Sequence, residues 1–261
     1  MTYAQSFLNS HITGKEDMMI LEKSPEKAAL LAQKDIGIVY AEAEDCIRQA
    51  DLVIFAVKPQ DCERLFADLR PHIDPQQVFL SIMAGVKIKT ISEALGAKKI
   101  IRAMPNLPAQ IGMGMTAFTS TDDVTRIELV MVQNLLSTTG KTLYVDAESS
   151  IDAVTAISGS GPAYVWFFME AMTNAAKDMG FSEAEAELLV NQTFLGTVSL
   201  HIKQNLSCEE WIKRVASKGG TTEAALASFT DSKTEKNIRA GARAALNRAV
   251  ELGQPSAVPA K

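Results

Sequence analysis

The stretch Asp51-Leu-Val-Ile-Phe-Ala-Val57 decides the fold. After its leading aspartate it is apolar at every position, so a strand formed here has two hydrophobic faces. Such a strand has to be covered on both sides, which is typical of the centre of a parallel sheet in an α/β protein. The sequence therefore predicts a central parallel strand at residues 51–57.

Short apolar runs and helical patterns alternate on either side of this strand. A proline at position 25 suits the first turn of a helix, and helices are also predicted at Asp61–Ile73 and Thr90–Leu95. This alternation predicts a doubly wound parallel sheet, and therefore an α/β fold. The other predicted strands of the series are Met18–Leu21, Ile36–Tyr40, Gln77–Met83 and Lys99–Arg102.

The character of the sequence changes after Asp146. Before that point, two β-rich segments, Gly114–Thr119 and Lys141–Val145, flank a helical pattern at 122–136 and complete a first domain at residues 1–146. Residues 147–252 have almost no strand signal and predict a second, all-helical domain. The tail at 253–261 is rich in proline and small residues and is predicted to be disordered.

One helical segment of the second domain, Pro162–Met179, is apolar nearly all round. A helix that is hydrophobic on every side has to be covered on every side. In a domain of this size, that requirement favours burial in a subunit interface. A helix at the centre of a monomeric bundle satisfies the same pattern equally well.

Composition excludes several classes of partner. The net charge of −5 argues against a nucleic acid or an anionic membrane surface. Three scattered cysteines and three scattered histidines form neither a disulfide framework nor a metal cluster. No apolar run has the about 20 residues that span a bilayer. We therefore expect a protein of the reducing cytoplasm without a metal.

Three polar loops follow neighbouring predicted strands, namely Lys58-Pro-Gln60, Ala84-Gly85 and the segment Met104-Pro-Asn106. Open α/β sheets bind ligands at the carboxyl ends of their strands. Glycine lets a ligand approach the backbone, and proline holds a loop in shape. For each loop alone, an ordinary strand-to-helix turn is the favoured interpretation, but three together on neighbouring strands favour a binding crevice.

A fourth loop, Glu22-Lys23-Ser24, ends the first predicted strand. In a dinucleotide-binding sheet this position meets the adenine ribose. Glu22 would favour a free 2′-hydroxyl, whereas Lys23 and Ser24 could hold a 2′-phosphate. A solvated pair of charges at a helix start is the competing interpretation.

Two segments of the helical domain combine glycine with hydroxyl side chains. Ser217-Lys-Gly-Gly-Thr-Thr222 precedes a predicted helix, where free backbone N–H groups and the helix dipole favour an anion. A simple helix cap by Thr221 or Thr222 explains the same pattern. Ile157-Ser-Gly-Ser-Gly-Pro-Ala-Tyr164 is a tight entry into a helix, suited to close helix packing or to a loop against a ligand.

Together these segments resemble the pyrroline-5-carboxylate reductase family, in order and over nearly the whole chain. The resemblance implies a Rossmann-like domain that binds NADP or NAD, followed by a helical domain that builds an obligate dimer. Dimers of this family often assemble further into rings. It is carried by Ala56-Val-Lys-Pro-Gln60, Met83-Ala-Gly-Val86, Ile101-Arg-Ala-Met-Pro-Asn106, Ile157–Tyr164 and Val215-Ala-Ser-Lys-Gly-Gly-Thr-Thr222.

The resemblance also implies roles for individual residues. The substrate, 1-pyrroline-5-carboxylate, would be reduced to proline by hydride transfer from the cofactor. Thr222 would be the catalytic residue, because its hydroxyl would be the group nearest to the imine nitrogen. The substrate carboxylate would be held by Ser217, Gly219, Gly220, Thr221 and Thr222. The cofactor would contact Lys23, Ser24, Val57, Lys58, Pro59, Ala84, Gly85, Met104, Pro105 and Asn106.

The beginning of the sequence departs from the family pattern. Members open with a strand and a glycine-rich loop that cradles the cofactor phosphates, but no Gly-x-Gly-x-x-Gly occurs in the first fifty residues. Met1 matches the end of that loop, and residues 1–8 match the helix after it. We therefore expect weak or absent cofactor binding by residues 1–261. A second departure is Lys218, which stands in the loop Ser217–Thr222 where family members often have proline.

Two alternatives remain beside the reductase hypothesis. A catalytically impaired relative would keep the dimeric helical core as a binding or assembly module. A reductase of another cyclic imino acid would use the same carboxylate loop, since that loop says little about ring size. The missing N-terminal glycine-rich loop favours the catalytically impaired relative, whereas the intact loop at Ser217–Thr222 favours an enzyme.

Overall fold

The computed structural model describes residues 2–254. The strands are β1 (Met19–Leu21), β2 (Ile38–Tyr40), β3 (Leu52–Phe55), β4 (Val78–Ser81), β5 (Ile100–Met104), β6 (Gly114–Ser120) and β7 (Gly140–Tyr144). The α-helices are α1 (Thr2–Asn9), α2 (Pro25–Ala32), α3 (Cys62–Leu69), α4 (Ile88–Leu95), α5 (Arg126–Ser137), α6 (Ser149–Val154), α7 (Gly161–Asp178), α8 (Glu183–Lys203), α9 (Cys208–Val215), α10 (Thr221–Asp231) and α11 (Thr234–Leu252).

The predicted strands all form, but they belong to two sheets rather than one. Strands β1 and β2 make a parallel pair, and the other five follow the order β3-β4-β5-β6-β7. In a doubly wound sheet of order 3-2-1-4-5-6, the first strand lies between the second and the fourth. The parallel pair β1-β2 and the parallel series β3-β4-β5 correspond to the two halves of that order, and within residues 2–254 no strand joins β1 to β3.

The prediction of a parallel sheet holds for β3, β4 and β5 and fails at the next pair. Strands β3–β4 and β4–β5 are parallel, whereas β5 and β6 are antiparallel. A short connection of one 3₁₀ turn, Leu107–Ile111, joins β5 to β6. Such a connection is too short for the crossover that a parallel neighbour requires.

Side chains of the five-stranded sheet alternate between two hydrophobic clusters. Register places Val53 opposite Phe79 and Phe79 opposite Ile100, and all three pack on the side of α3 and α4. The next row, which includes Leu80 and Ile101, packs against α5 on the other side. Helices therefore cover both faces of β3, as its apolar sequence predicts. The prediction of a central strand at 51–57 is wrong in its position, because β3 is an edge strand of this sheet in the described residues.

The chain forms two compact units. The first comprises residues up to Ser160 together with those from Ala245 onward, and the second is Gly161–Ala244. The division falls later than the boundary predicted at residue 146, since α6 and the π-helical turn Thr155–Gly159 pack in the first unit. The tail prediction covered 253–261, of which 255–261 lie outside the described residues.

The second unit contains helix α7, the apolar segment predicted at Pro162–Met179. Not one residue of α7 is buried, and Phe167 is 72% exposed beside a half-exposed Trp166. The bundle-centre alternative is therefore wrong, because residues 2–254 leave this helix without a buried residue. Across residues 2–254, no helix has the length and apolar character required to cross a membrane.

Candidate active site

Three of the predicted site loops lie side by side at one edge of the five-stranded sheet. They follow the carboxyl ends of β3, β4 and β5, which are adjacent and parallel. The loop after β3 carries Val57, Lys58 and Pro59, the loop after β4 carries Ala84 and Gly85, and the third carries Met104, Pro105 and Asn106. The first unit thus brings together eight of the predicted residues.

The loop after β3 is exposed. Val57 and Lys58 both face solvent, and Pro59 begins the 3₁₀ turn Pro59–Asp61 that leads into α3. The N–H of Asp61 donates to the carbonyl of Lys58 at 2.9 Å, so the turn is closed behind the lysine. The loop presents one apolar and one cationic side chain on a fixed backbone.

Cys62, the first residue of α3, lies next to this loop. Burial raises the pKa of its thiol above the ordinary value, and the neighbouring backbone bonds do not reverse that effect. A protonated thiol is a poor nucleophile. The raised pKa of Cys62 therefore favours the thiol over the thiolate.

The loop after β4 needs its glycine for conformation and for space. Gly85 has φ +77°, in the left-handed region that favours glycine. A Cβ atom at this position would lie 3.1 Å from Cβ of Leu252 and 3.2 Å from its carbonyl carbon and oxygen. The absence of a side chain at Gly85 therefore lets the end of α11 approach this loop closely.

The loop after β5 is held by the side chain of Asn106. Its Oδ1 accepts from the N–H of Met115 at 2.9 Å, and its Nδ2 donates to Oγ of Ser158 at 3.2 Å. An amide side chain has two lone pairs and two N–H donors. Asn106 therefore keeps one of each for a ligand while it fixes the loop to β6 and to the turn at 155–159.

The turn Thr155–Gly159 is π-helical. Single π turns are frequent at functional sites. A Cβ atom on Gly159 would lie 2.8 Å from Cε of Met104, so this glycine admits the methionine side chain. The Gly-Ser-Gly segment read from the sequence thus packs closely against the loop after β5.

A buried ion-pair cluster lies below these loops and was missed by sequence reasoning. The side chain of Arg102 on β5 is 1% exposed and bonds Glu148 Oε1 through Nη1 at 3.0 Å and Asp152 Oδ1 through Nη2 at 2.7 Å. Its Nε has no partner within the described chain. The one signal was an arginine inside an otherwise apolar strand, Ile100–Met104.

The predicted ribose loop is engaged in local contacts. The Glu22 carboxylate accepts the N–H of Ser24 at 2.9 Å, and the Ser24 hydroxyl accepts from Lys27 N at 3.5 Å as the N-cap of α2. Lys23 pairs with Asp68, and both side chains are exposed. These contacts are the ones expected for charges at a helix start.

The loop Ser217–Thr222 connects α9 to α10 in the second unit. Gly219 has φ +72° and donates its N–H to Glu223 Oε2 at 2.7 Å, and Gly220 N donates to the carbonyl of Ser217 at 3.0 Å. Gly220 is the N-cap, and no side chain caps α10. The alternative of a cap by Thr221 or Thr222 is therefore wrong.

No cluster of metal-ligating side chains occurs in the part of the chain that the structure describes. Residues 148–252 match the family model for pyrroline-5-carboxylate reductase dimerisation. A pyrroline-5-carboxylate reductase of Pseudomonas aeruginosa is 35% identical over 230 residues, which cover 88% of this chain and 84% of the relative. The chain belongs to the pyrroline-5-carboxylate reductase family.

Other comparisons agree with membership of this family. The pyrroline-5-carboxylate reductase of Aquifex aeolicus is 36% identical over 80% of the chain and 77% of the relative. Residues 2–85 match a second model, described as NADP oxidoreductase, coenzyme F420-dependent. The resemblance recognised in the sequence is thereby confirmed.

Solved structures of family members share the fold. A Plasmodium falciparum pyrroline carboxylate reductase with NADP bound superposes with a TM-score of 0.87 at 26% identity, over 97% of this chain and 94% of that one. A Coxiella burnetii pyrroline-5-carboxylate reductase gives the same TM-score at 27% identity and the same coverage. The predicted class, a Rossmann-like sheet followed by a helical dimerisation domain, is confirmed.

Proposed function

We propose that this protein reduces 1-pyrroline-5-carboxylate to L-proline with a reduced nicotinamide cofactor. One observation carries the proposal: three loops with the family's residues lie together at the carboxyl ends of β3, β4 and β5. Doubly wound sheets bind dinucleotides at this edge. The names of relatives support the reaction, since two that each match 88% of the chain are pyrroline-5-carboxylate reductases.

The side chains at this edge fit a nicotinamide cofactor. Val57 offers an exposed apolar surface to a ring, and Lys58 offers a positive charge to a phosphate. Asn106 retains one donor and one acceptor for a carboxamide. When bound, the cofactor supplies a hydride. The residues of this chain orient the two reactants.

NADPH is the preferred cofactor in this proposal. Glu22 already accepts the N–H of Ser24. The exposed ammonium of Lys23, which pairs with Asp68 at the surface, is therefore the group that a 2′-phosphate would recruit. Lys23→Ala is expected to raise KM for NADPH about tenfold, equivalent to about 1.4 kcal/mol, and to leave KM for NADH unchanged. An equal rise for both cofactors contradicts a contact with the 2′-phosphate.

The expectation of weak cofactor binding by residues 1–261 stays a prediction. A longer polypeptide, with a β-strand and a Gly-x-Gly-x-x-Gly turn added before Thr2, is expected to have a lower KM for NADPH. The added strand can pair with the free edges of β1 and β3, and the turn directs backbone N–H groups at the pyrophosphate. The comparison is made by steady-state kinetics on both chains.

The substrate carboxylate is assigned to the loop Ser217–Thr222. The N–H groups of Gly219 and Gly220 are already used within the loop. The first N–H groups of a helix lack intrahelical acceptors, so those of Thr221 and Thr222 are available to an anion. The dipole of α10 adds to the attraction.

Reduction of the imine moves one hydride to carbon and one proton to nitrogen. The hydroxyl of Thr222 donates a hydrogen bond to the nitrogen and makes the neighbouring carbon more electrophilic. No histidine lies in these loops, so the proton arrives with the protonated substrate or from water. Positioning and hydrogen bonding are thus the contributions of the chain.

The deciding experiment follows NADPH oxidation by absorbance with 1-pyrroline-5-carboxylate. Thr222→Ala is expected to lower kcat about 100-fold, as for loss of one preorganised donor, and Thr222→Ser should retain most activity. Thr230→Ala is the control, because it removes another hydroxyl of α10 that bonds only the Leu226 carbonyl. A Thr222→Ala variant with normal kcat contradicts the assigned role.

The longer polypeptide with the added strand and turn also tests the reductase proposal as a whole. If it is folded and turns over neither NADPH nor NADH, the proposal is contradicted. Turnover with a six-membered cyclic imino acid at higher kcat/KM than with the five-membered one contradicts the substrate assignment. Neither outcome depends on the identity of the nearest hydroxyl, so these tests are separate from the Thr222 variants.

A homodimer is the proposed functional form. The match of residues 148–252 to a dimerisation model and the exposed apolar surface of α7 support it. Assembly of dimers into rings stays a prediction from the resemblance. The three cysteines are free thiols, which is compatible with the proposed location in the cytoplasm.

A further inference from the structure

The buried cluster formed by Arg102, Glu148 and Asp152 connects elements that carry different cofactor loops. Arg102 lies on β5, two residues before Met104. Burial of a guanidinium is strongly unfavourable unless carboxylates pair with it. Two carboxylates do so here, at 3.0 Å and 2.7 Å. A strand of hydrophobic residues would be simpler to bury, so the arginine indicates a positional role.

One carboxylate oxygen of Glu148, Oε1, accepts two hydrogen bonds. It accepts from Arg102 Nη1 and also accepts the N–H of Ile88 at 2.8 Å. Ile88 is the first residue of α4, three positions after Gly85. A carboxylate at a helix N-terminus is stabilised by the helix dipole. One carboxylate oxygen therefore joins the base of the loop after β5 to the end of the loop after β4.

The same short segment of chain also holds the far end of the loop after β5. Ser158, in the turn that follows α6, accepts the hydrogen bond of Asn106. Residues 148–158 thus contact the loop after β4 once and the strand and loop of β5 at both ends. The pairing of β4 with β5 ends at Ser81 and Arg102. Beyond that point no hydrogen bond of the described residues joins the two loops directly, so this segment is the link between them past the end of the sheet.

We propose that Glu148 is a positioning residue that fixes the distance between the loops Ala84-Gly85 and Met104–Asn106, and so the width of the cofactor crevice. The inference rests on the cofactor site proposed above. Glu148 acts through Ile88 and Arg102 and does not touch the cofactor. Charge-assisted hydrogen bonds suit this role, because they are shorter and stronger than neutral ones.

Glu148 is the member of the cluster that can be replaced without unfolding the chain. Its side chain is 30% exposed, and Arg102 keeps Asp152 as a partner when Glu148 is removed. Replacement of Arg102 would leave the buried carboxylate of Asp152 without its ion-pair partner, and replacement of Asp152 would remove the more deeply buried of the two carboxylates. The informative pair of variants is therefore Glu148→Ala, which removes both hydrogen bonds, and Glu148→Gln, whose amide oxygen can accept both.

The matched control is Glu128→Ala. Glu128 also forms a partly buried ion pair, with Lys99 at 2.8 Å, and its side chain also bonds a backbone N–H, that of Thr125. It lies on α5, which carries none of the cofactor loops. Glu128→Ala should therefore lower stability in a similar way without moving the crevice.

The first measurement is amide hydrogen exchange on the full chain without cofactor. Glu148→Ala is expected to speed exchange about tenfold or more in the peptides that cover 84–88 and 104–106, whereas Glu148→Gln and Glu128→Ala leave these peptides near the wild-type rate. The second is the Kd for NADPH, from the fluorescence of the reduced cofactor. Glu148→Ala should raise it about tenfold, with kcat at saturating NADPH changed less than about twofold.

Several outcomes overturn the proposal. Normal exchange at 84–88 and 104–106 in Glu148→Ala shows that the carboxylate does not hold these loops. A Glu148→Gln variant as impaired as Glu148→Ala shows that hydrogen-bond geometry is not the cause. Lys58→Ala and Asn106→Ala in the same NADPH titration test the proposed cofactor site separately: if neither changes Kd, the site is wrong, whatever exchange shows for Glu148.

Discussion

Replacement of Gly85 by alanine tests why the loop after β4 contains glycine. The chain offers a matched control in Gly96, the residue that ends α4. Both have nearly the same left-handed backbone, with φ +77° and φ +75°. A Cβ on Gly96 meets nothing within 4 Å, whereas a Cβ on Gly85 meets Leu252. Gly85→Ala and Gly96→Ala therefore share the conformational cost and differ in the contact.

The magnitude follows from these two contributions. An alanine forced into the left-handed region costs about 1 kcal/mol. The contacts at Gly85, 3.1 Å to Leu252 Cβ and 3.2 Å to its carbonyl group, require the end of α11 to move by a few tenths of an ångström. Overpacking of this kind costs about 1–3 kcal/mol. We expect a loss of about 1 kcal/mol for Gly96→Ala and about 2–4 kcal/mol for Gly85→Ala.

The assay is urea unfolding of both variants at one fixed protein concentration, because assembly makes apparent stability depend on concentration. A chain that ends at residue 250 lacks Leu252 and removes the contact. In that background the two alanine variants should lose the same free energy. If Gly85→Ala lowers the free energy of unfolding of the full chain no more than Gly96→Ala does, the proposed contact with Leu252 is refuted.

Three further predictions concern charge, assembly and core. Burial raises the pKa of Glu128, but its hydrogen bonds to Lys99 and Thr125 together lower the pKa by more than burial raises it. The folded pKa is therefore below the ordinary value. The stability from Glu128 is therefore present above the unfolded pKa, about 4.3, and is lost as pH falls through the folded pKa. The difference in urea midpoint between wild type and Glu128→Gln should shrink from pH 6 to pH 3, and a constant difference would be contrary evidence. Phe167→Glu should give monomers in size-exclusion chromatography with light scattering, whereas Ile127→Glu, at an even more exposed site on α5, should not; dimers from both would argue against α7 as the interface. Phe79→Ala should cost about 3–5 kcal/mol in the same unfolding assay, because Phe79 is fully buried between β3 and β5; a loss below about 1 kcal/mol would contradict the assigned packing.

Much of the first unit was predictable because its signals are local. Strand β3 was evident from a run that is hydrophobic on both faces, and α2 from a proline at its first turn. The loops after β3, β4 and β5 followed from their position at strand ends. Their closeness was predictable as well, since parallel neighbours end at the same edge of a sheet.

Features that depend on pairing were not predictable in the same way. The split of the sheet between β1 and β3 and the antiparallel direction of β6 are relations between segments distant in sequence. Composition and periodicity describe one segment at a time. The role of Gly85 belongs here too, because a ligand and the end of α11 would place the same demand on its backbone.

The sequence by itself determined the elements, the family and the candidate residues, because hydrophobic period, turn chemistry and ordered motifs are written along the chain. Only the tertiary structure decided that Asn106 bonds Ser158, that Gly220 caps α10, and that Arg102 is buried with Glu148 and Asp152. The physical reason is that hydrogen bonds and ion pairs act over about 3 Å, and folding alone brings such distant residues within that range.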